Sequence, residues 1–333
     1  MMASKKFKVA IAGSGMVTRH HLNAWAKLSQ VLVVAICARH LQNAQARATE
    51  FDIPTAYDNV AAMLDAEKPD ALDIATPPQV HAEQVKLAAE RGINVLCQKP
   101  MTPNLTESEQ LVAEVGDSIR FMVHENWRFR PQYRQVGQWI AQNKVGRIRE
   151  FHLTTRSSGL VTRTATGQPV ALERQPFLAN LKRFIINELL IHHLDTIRFL
   201  VGSMKVVASN TSHICQEVIG DDMAQIILNA ESGAVGTVSG NFCAAGFPLL
   251  PSDRLELIGE KASILFDNNE LILIGDTEEK ISYDLHEAYQ TSYDNAIAHF
   301  TKSLESGESF ETDRLDNLET LRLVSDAYRL AGR

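Results

Sequence analysis

The sequence has little of what marks secreted, membrane-spanning or disulfide-rich proteins. Among its 333 residues are four cysteines, no two of them close in the sequence, which favours buried thiols in a reducing compartment over a disulfide framework. No apolar run approaches the roughly 20 residues of a membrane-spanning helix. The first residues run directly into a predicted strand, without the apolar segment of a signal peptide. We therefore expect a cytoplasmic protein.

Positive charge is also scarce. The chain has 33 Lys and Arg against 40 Asp and Glu, a formal net charge of -7. An acidic chain without basic clusters argues against nucleic acid and anionic membranes as partners. A small anionic substrate stays open, because a few local arginines can hold it. The 45% of hydrophobic residues allows a large core, and the length favours two domains.

The pattern of apolar residues changes about a third of the way along the chain. Over residues 1–125, short apolar runs such as FKVAIAG and VLVVAICA alternate with helical segments, which predicts an α/β domain with a doubly wound parallel sheet. Over residues 126–333, longer runs alternate apolar and polar residues, which predicts an α+β domain with an open, mostly antiparallel sheet. One helix, at about Ile186 to Leu200, interrupts these strands.

A Gly-x-Gly pair lies between the first predicted strand and the helix that follows it. Residues without side chains permit a tight turn and the close approach of a pyrophosphate, whose oxygens accept from the helix N-terminus. Gly13 and Gly15 are the pair, and Thr18 stands where the fingerprint has a third glycine or alanine. The context favours dinucleotide binding over an ordinary tight turn.

The second predicted strand ends in Ala38 and Arg39, without the acidic residue that commonly binds the ribose 2′-hydroxyl of NAD. Arg39 would stack on the adenine or meet a 2′-phosphate, or it is a solvated arginine at a helix start. The pattern therefore tolerates NADP and does not require NAD.

Lys99 ends another apolar strand, INVLCQ. Doubly wound folds bind ligands at the carboxyl edge of the sheet, and Thr76 to His81, after the neighbouring strand, should line the same crevice. A lysine at a strand end is usually solvated when considered alone. Within a nucleotide-binding fold, a functional role is favoured.

Three polar residues share a spacing on the predicted helix of the second domain. Glu188, His192 and Asp195 lie at i, i+4 and i+7, so an α-helix would place them on one face. A histidine can take an alcohol proton near neutral pH, and a nearby carboxylate can orient its ring. His193, about 100° round the helix, is the competitor. A hydrogen-bonded structural role is the alternative for either histidine.

In chain order, the segments AGSGMV, TPPQVH, QKP, ENWRFRP and NELLIHHLD resemble the Gfo/Idh/MocA family of sugar-type oxidoreductases. The resemblance covers nearly the whole chain and implies a Rossmann domain followed by an open α/β domain. It implies Lys99 and His192 as the catalytic pair, with Glu188 beside them. The cofactor-binding residues that it implies are Gly13, Gly15, Met16, Val17, Arg39, Thr76, Pro77, His81, Gln98 and Lys99.

Two positions depart from the family pattern. Gln98 stands where the family's Glu-Lys-Pro motif has glutamate, which removes a negative charge beside Lys99 and leaves open whether this lysine orients the substrate or acts as a base. Glu188 stands where the family has the shorter aspartate. An acid beside a histidine also admits a divalent cation, but no metal site is predicted.

Several arginines near the expected substrate pocket suggest a substrate with a carboxylate, because guanidinium groups bind carboxylates through paired hydrogen bonds. Surface ion pairs are the alternative for each arginine. A narrower resemblance is to family members that act on branched sugars and their acids, such as apiose and apionate. The candidate substrate-binding residues are Asn126, Arg128, Arg163, Arg183, Glu188, His192 and His193.

Together these features predict an NAD(P)-dependent dehydrogenase of a sugar or sugar acid, with His192 as base and Lys99 orienting the hydroxyl. The resemblance to catabolic sugar oxidation favours NAD. A lyase or hydrolase with tightly bound, recycling NAD and a non-catalytic nucleotide sensor are the alternatives. Apolar residues on the outer face of strands such as AQIILNA predict a homodimer or homotetramer formed through the antiparallel sheet.

Overall fold

The computed structural model describes residues 6–333, which form two compact units. Unit 1 comprises the chain up to Phe129 together with Tyr289–Glu319, and unit 2 comprises Arg130–Ala288 and Thr320–Arg333. The first boundary between the units falls after Phe129. The return of residues 289–319 to unit 1 is not visible in the sequence pattern. Within the described residues, no helix has the length and apolar character needed to cross a bilayer.

The sheet of unit 1 is wholly parallel. Its six strands are β1 (Phe7–Ala12), β2 (Val31–Cys37), β3 (Thr55–Tyr57), β4 (Ala71–Ile74), β5 (Asn94–Gln98) and β6 (Phe121–His124). They lie in the order β3-β2-β1-β4-β5-β6. Strands β2 and β3 therefore lie on one side of β1, and β4, β5 and β6 lie on the other, as in a doubly wound fold. The predicted parallel Rossmann sheet is confirmed.

Helices connect these strands and continue into unit 2. In chain order they are α1 (Met16–Ala26), α2 (Leu41–Glu50), α3 (Val60–Glu67), α4 (His81–Ala89), α5 (Leu105–Val115), α6 (Pro131–Ala141), α7 (Val170–Arg174), α8 (Ile191–Val201), α9 (Leu285–Ser306) and α10 (Arg314–Leu330). Short 3-10 turns lie at Pro78–Val80, Trp127–Phe129 and Pro176–Asn180.

The core of unit 1 explains why residues 289–319 belong to it. Ala296, Ile297 and Phe300 of α9 are fully buried in one cluster with β1 and α1. The ring of Phe300 meets Trp25 of α1 edge to face, with centroids 6.3 Å apart. Burying one such side chain is worth roughly 1.5–3 kcal/mol. Helix α9 therefore supplies part of the core of the first domain.

The sheet of unit 2 has eight strands in the order β14-β13-β12-β11-β7-β10-β9-β8. Only β7 and β10 pair in parallel, which confirms the predicted mostly antiparallel sheet. The strands are β7 (Ile148–Arg156), β8 (Met204–Ser212), β9 (Met223–Ala230), β10 (Val235–Asn241), β11 (Ser252–Gly259), β12 (Ser263–Asp267), β13 (Glu270–Ile274) and β14 (Glu279–Ser282).

The predicted helix at about Ile186 to Leu200 is present, but its first part is a π-helix. The π segment spans Ile185–Leu190 and leads directly into α8. Glu188 therefore lies in the π segment, whereas His192 and Asp195 lie in α8. Regular α-helical spacing therefore holds only between His192 and Asp195. Short π segments inside helices are rare, and those that occur are often found at functional sites.

Gly13 occupies the tight turn between β1 and α1. Its φ is +117°, and a Cβ atom there would lie 2.3 Å from the carbonyl oxygen of Ala75, which follows β4. Gly15 differs, because its φ is -72° and a Cβ would meet nothing within 4 Å. Within this fold the first glycine is required by the close approach of two chain segments, and the second is not.

Gly13→Ala is expected to lower the free energy of unfolding by about 2–5 kcal/mol, because it combines backbone strain with a steric overlap. Gly15→Ala is the matched control and should cost less than about 1 kcal/mol. Urea unfolding followed by circular dichroism measures both. Equal losses in the two variants would contradict the structural distinction between the glycines.

Candidate active site

The N-terminus of α1 is open to a phosphate. Gly15 is its N-cap, no side chain caps the helix, and its first turn contains no acidic residue. Met16, at the first helical position, is 57% exposed, and Val17 is partly buried. Backbone N–H groups at such an end have no partner inside the helix and suit the pyrophosphate of a dinucleotide. The residues present therefore fit the cofactor that the sequence predicts.

Arg47 of α2 holds the glycine turn, a role that the sequence analysis missed. Its Nη2 donates to the carbonyl oxygens of Ser14 at 2.9 Å and Gly15 at 3.3 Å, and its Nη1 pairs with Glu50. These contacts tie α2 to the backbone of the glycine turn. Arg39 follows β2 and is exposed. Its predicted contact with the adenine stays a prediction.

His81 joins the two loops that carry Thr76 and Lys99. Its Nε2 lies 2.8 Å from the carbonyl oxygen of Thr76, and its Nδ1 lies 3.1 Å from that of Pro100. Burial lowers the pKa of His81, and the two carbonyl contacts oppose this shift. The fully buried ring thus acts as a brace between the ends of β4 and β5. Pro77 is exposed between them.

A cluster of buried, hydrogen-bonded polar side chains lies at the carboxyl ends of β4, β5 and β6. Within residues 6–333, the Oδ1 atom of Asp73 has no hydrogen-bond partner. The Oδ2 atom of Asp73 accepts from Trp25 Nε1 at 2.7 Å and from His21 Nδ1 at 2.8 Å. Gln98 Nε2 lies 2.7 Å from His21 Nε2 and 3.1 Å from His124 Nδ1. Asp73, His21 and His124 are completely buried, and Gln98 is 9% exposed. Of these residues, the sequence analysis had singled out only Gln98.

Lys99 follows Gln98 directly and is partly buried at the carboxyl end of β5. The predicted strand end is therefore confirmed as the position of this lysine. The same edge of the sheet carries the glycine turn after β1 and the Thr76 loop after β4. Unit 1 thus brings the predicted cofactor residues to the edge where doubly wound folds bind ligands.

In unit 2, His192 lies in the first turn of α8 and is 6% exposed. Its carbonyl oxygen accepts from the hydroxyl of Thr196 at 2.8 Å. Asp195 is completely buried, and its Oδ1 accepts from Thr320 at 3.0 Å. Glu188 is partly buried in the π segment. The catalytic roles of His192 and Glu188 stay predictions.

Asp221 fixes the start of the helical segment that carries His192. Its carboxylate accepts from the backbone N–H groups of Phe184 at 3.2 Å and Ile186 at 3.4 Å, and from the hydroxyl of Tyr328 at 3.2 Å. Burial raises the pKa of Asp221, and these donors oppose the shift. No local sequence motif predicts this role, because Asp221 lies in a loop that is distant in sequence from the helix.

His193 is fully buried, and both ring nitrogens have partners. Nδ1 lies 3.1 Å from the carbonyl oxygen of Leu189, and Nε2 lies 2.9 Å from Asp253 Oδ1. The other oxygen of Asp253 accepts from Tyr133 at 3.0 Å and Arg130 at 3.4 Å. Burial, followed by the charge of Asp253, raises the pKa of Tyr133. These contacts fit the structural alternative for His193. Its predicted substrate contact stays a prediction.

The remaining substrate candidates differ in their surroundings. Arg128 is 4% exposed and donates to the carbonyl oxygen of Glu311 at 2.9 Å and to Asp316 at 3.0 Å. Asn126, also buried, donates to Ser292 at 2.7 Å. Both side chains therefore have partners inside unit 1.

The two candidate arginines of unit 2 are exposed. Arg163 pairs with Glu217, and this contact lowers the pKa of the Glu217 carboxyl to about 2. Arg183 lies over the ring of Tyr328, with its guanidinium 4.7 Å from the ring centroid. Within residues 6–333, no group of three His, Cys, Asp or Glu side chains is arranged to hold a metal ion.

Comparison with known proteins matches both parts of the chain. Residues 7–123 match the oxidoreductase family model with the NAD-binding Rossmann fold, and residues 133–265 match the Gfo/Idh/MocA C-terminal domain. D-apiose dehydrogenase of Paraburkholderia graminis is 31% identical over 337 residues, which cover 97% of this chain and 87% of that protein. D-apiose dehydrogenase of Rhizobium rhizogenes is 26% identical, with 99% and 97% covered.

A solved structure shows the same similarity in three dimensions. It is an oxidoreductase from Agrobacterium radiobacter in complex with NAD+, L-tartaric acid and magnesium, with a TM-score of 0.90 and 26% identity over 98% of this chain and 97% of that one. The chain therefore belongs to the Gfo/Idh/MocA oxidoreductase family, as its motifs predict, and is an NAD-binding dehydrogenase of CH–OH groups in a family of sugar and polyol dehydrogenases.

Proposed function

We propose that the protein oxidises one hydroxyl of a branched sugar or its aldonic acid, such as apiose or apionate, with NAD as hydride acceptor. The observation that carries the proposal is the uncapped N-terminus of α1 after the Gly13 turn, at the same sheet edge as Lys99. The similarity to two proteins named D-apiose dehydrogenase supports the branched substrate.

In this proposal, the cofactor lies along the turn after β1, with its pyrophosphate at the N–H groups of α1. Gly13, Gly15, Met16 and Val17 form this end of the site, and Arg39 stacks on the adenine. Thr76, Pro77, His81 and Gln98 support the nicotinamide end beside Lys99. When bound, NAD supplies the acceptor for the hydride.

His192 is the proposed base, and Lys99 the orienting donor. The Lys99 ammonium donates to the substrate hydroxyl oxygen, and His192 accepts the proton of that hydroxyl as the hydride leaves the carbon. Glu188 is proposed to orient the substrate or the imidazole. Because Glu188 lies in the π segment before α8, its distance from His192 is set by an irregular turn and not by α-helical spacing.

The carboxylate of an aldonic acid would be bound by arginine. Arg183 is the stronger candidate, since it is exposed and lies over the Tyr328 ring, whereas Arg163 already pairs with Glu217. Asn126 and Arg128 stay in the proposed set, and each would have to exchange a present partner for substrate. His193 is the weakest member, because its nitrogens contact Leu189 and Asp253.

A substrate panel tests the function. With NAD, absorbance at 340 nm should rise on addition of D-apiose or its aldonate, and less with unbranched aldoses or inositol. We expect kcat/KM to be at least about tenfold higher with NAD than with NADP, a preference of about 1.4 kcal/mol. At least tenfold preference for NADP would reverse the cofactor assignment. Substrate loss without NADH would indicate the recycling lyase or hydrolase, and NAD binding without any turnover would indicate the sensor.

Lys99→Ala and His192→Ala should each lower kcat by at least about 10²-fold, the scale of acid–base groups, while the dissociation constant for NAD changes less than about threefold. Lys86→Ala and His286→Ala, on exposed helix positions, are the matched controls and should keep full activity. Steady-state kinetics and fluorescence titration measure the two quantities. An active His192→Ala variant beside a dead His193→Ala variant would overturn the assignment on α8.

We also propose that a second copy covers the outer face of the eight-stranded sheet. Alternate positions on several of its strands expose large apolar side chains to solvent, and an exposed apolar patch on a sheet is typical of an interface. They are Val207 (47% exposed), Ile227 (45%), Val235 (51%), Ile258 (39%) and Ile274 (46%).

Light scattering at micromolar concentration should give a mass near two or four times 37.0 kDa. Ile227→Lys, in the middle of β9, should shift the population toward the monomer, because it places a charge in the interface. Leu315→Lys, a 55% exposed leucine of unit 1, is the control and should leave the mass unchanged. A monomeric wild-type protein would refute this assembly.

A further inference from the structure

Gln98, the residue before Lys99, belongs to a buried chain of hydrogen bonds. Gln98 and His124 are the last residues of β5 and β6, Asp73 is the last but one of β4, and His21 of α1 packs against all three. Each of these side chains is at least nine-tenths buried. Buried polar groups are costly without partners, so the donors and acceptors of this set must match one another.

The chemistry of the set fixes its protons. Trp25 Nε1 can only donate, and the Asp73 carboxylate can only accept, so the hydrogen between Asp73 and His21 lies on His21 Nδ1. Because Gln98 Nε2 can only donate, its contact with His21 requires a lone pair at His21 Nε2. The amide nitrogen of Gln98 has two hydrogens, one for His21 Nε2 and one for His124 Nδ1. Every contact therefore joins one donor to one acceptor.

We propose that Gln98 is a positioning residue for Lys99, held by the chain Asp73–His21–Gln98–His124, and that this chain is matched to a glutamine and not to the glutamate of the family pattern. Lys99 is the next residue along the backbone, so fixing the Gln98 side chain fixes the direction in which the lysine leaves β5. Only the effect of this positioning on catalysis depends on the proposed function.

A glutamate at position 98 would change which side chains can donate a hydrogen bond. Its carboxylate has no hydrogens, so His21 would need a second proton on Nε2 and would become a cation between two carboxylates. The groups that face His21 are Asp73 of β4, His124 of β6 with ring centroids 4.3 Å apart, and Tyr293 of α9 at 5.4 Å. In the glutamate variant, the contact between position 98 and His21 has a donor only when that proton is present.

The first arm of the test needs no substrate. Relative to wild type, the thermal midpoint of Gln98→Glu should fall by at least about 5 °C more at pH 9 than at pH 6, because the extra proton of the folded variant is lost as the pH rises. Gln98→Met, which cannot hydrogen-bond, should show a deficit that does not vary with pH. A pH-independent deficit in Gln98→Glu would overturn the assigned protons.

The second arm measures Lys99 itself. Trace acetylation with acetic anhydride, read by peptide mass spectrometry, should change at least threefold at Lys99 in Gln98→Met, while Lys27 and Lys86 react as in wild type. Gln132→Met is the matched control, because Gln132 is 1% exposed and neither of its amide atoms has a hydrogen-bond partner. It should alter neither the labelling nor the activity. Unchanged labelling of Lys99 in Gln98→Met would overturn the positioning role.

If the substrate panel described above identifies a substrate, steady-state kinetics complete the test. Gln98→Met should lower kcat at least about tenfold, because it misplaces Lys99, and should change the NAD dissociation constant less than about threefold, because the proposed pyrophosphate end of the cofactor site is unaltered. An unchanged kcat would refute the positioning role even if labelling changes. A panel without any substrate would defeat the proposed function, and the labelling would still decide the role of Gln98. Should Gln98→Met fail to fold, Gln98→Glu at pH 6 and pH 9 provides the same labelling comparison.

Discussion

The constraint on which unit 1 depends is the complete burial of the Asp73 carboxylate. A charge in this position is tolerated only with good partners, and removing one partner of a buried charged pair typically costs about 3–5 kcal/mol. Trp25 and His21, one turn apart on α1, provide those partners and thereby fix the rotation of the helix against β4. The same rotation sets the direction of the N-terminus of α1, where the predicted pyrophosphate site lies.

Most of the architecture could be predicted from the sequence, because strand burial leaves a strong signal. The nearly continuous apolar runs of β1, β2 and β5 predict a parallel sheet, and the alternation in β7, β9 and β11 predicts the antiparallel one. Gly13 lies in the turn after β1 and Lys99 at the end of β5, as the neighbouring residues in the sequence predict. In each case, the information lies within a few residues of the position concerned.

The contacts that organise the site were not predictable in the same way. His21 and Asp73 are 52 residues apart, and His21 alone resembles any polar residue of an amphipathic helix. Asp221 is separated by 37 residues from the Phe184 N–H that it accepts from. The π segment before His192 begins where these contacts from Asp221 are made, and the sequence pattern predicts a regular α-helix there. Arg128, a candidate from the segment HENWRFRP, donates to Glu311 and Asp316, which lie 183 and 188 residues away in the sequence and could not be identified as its partners from the local pattern.

The division of unit 1 into two separated stretches of chain has a consequence for biosynthesis. Residues up to Phe129 leave the ribosome long before residues 289–319, which contribute Ala296, Ile297 and Phe300 to the same core. The nucleotide-binding domain can therefore close its core only after the strands of the eight-stranded sheet have been made. A prematurely ended chain lacks the helix that seals that core, so an incomplete product is exposed to proteolysis before it can sequester cofactor.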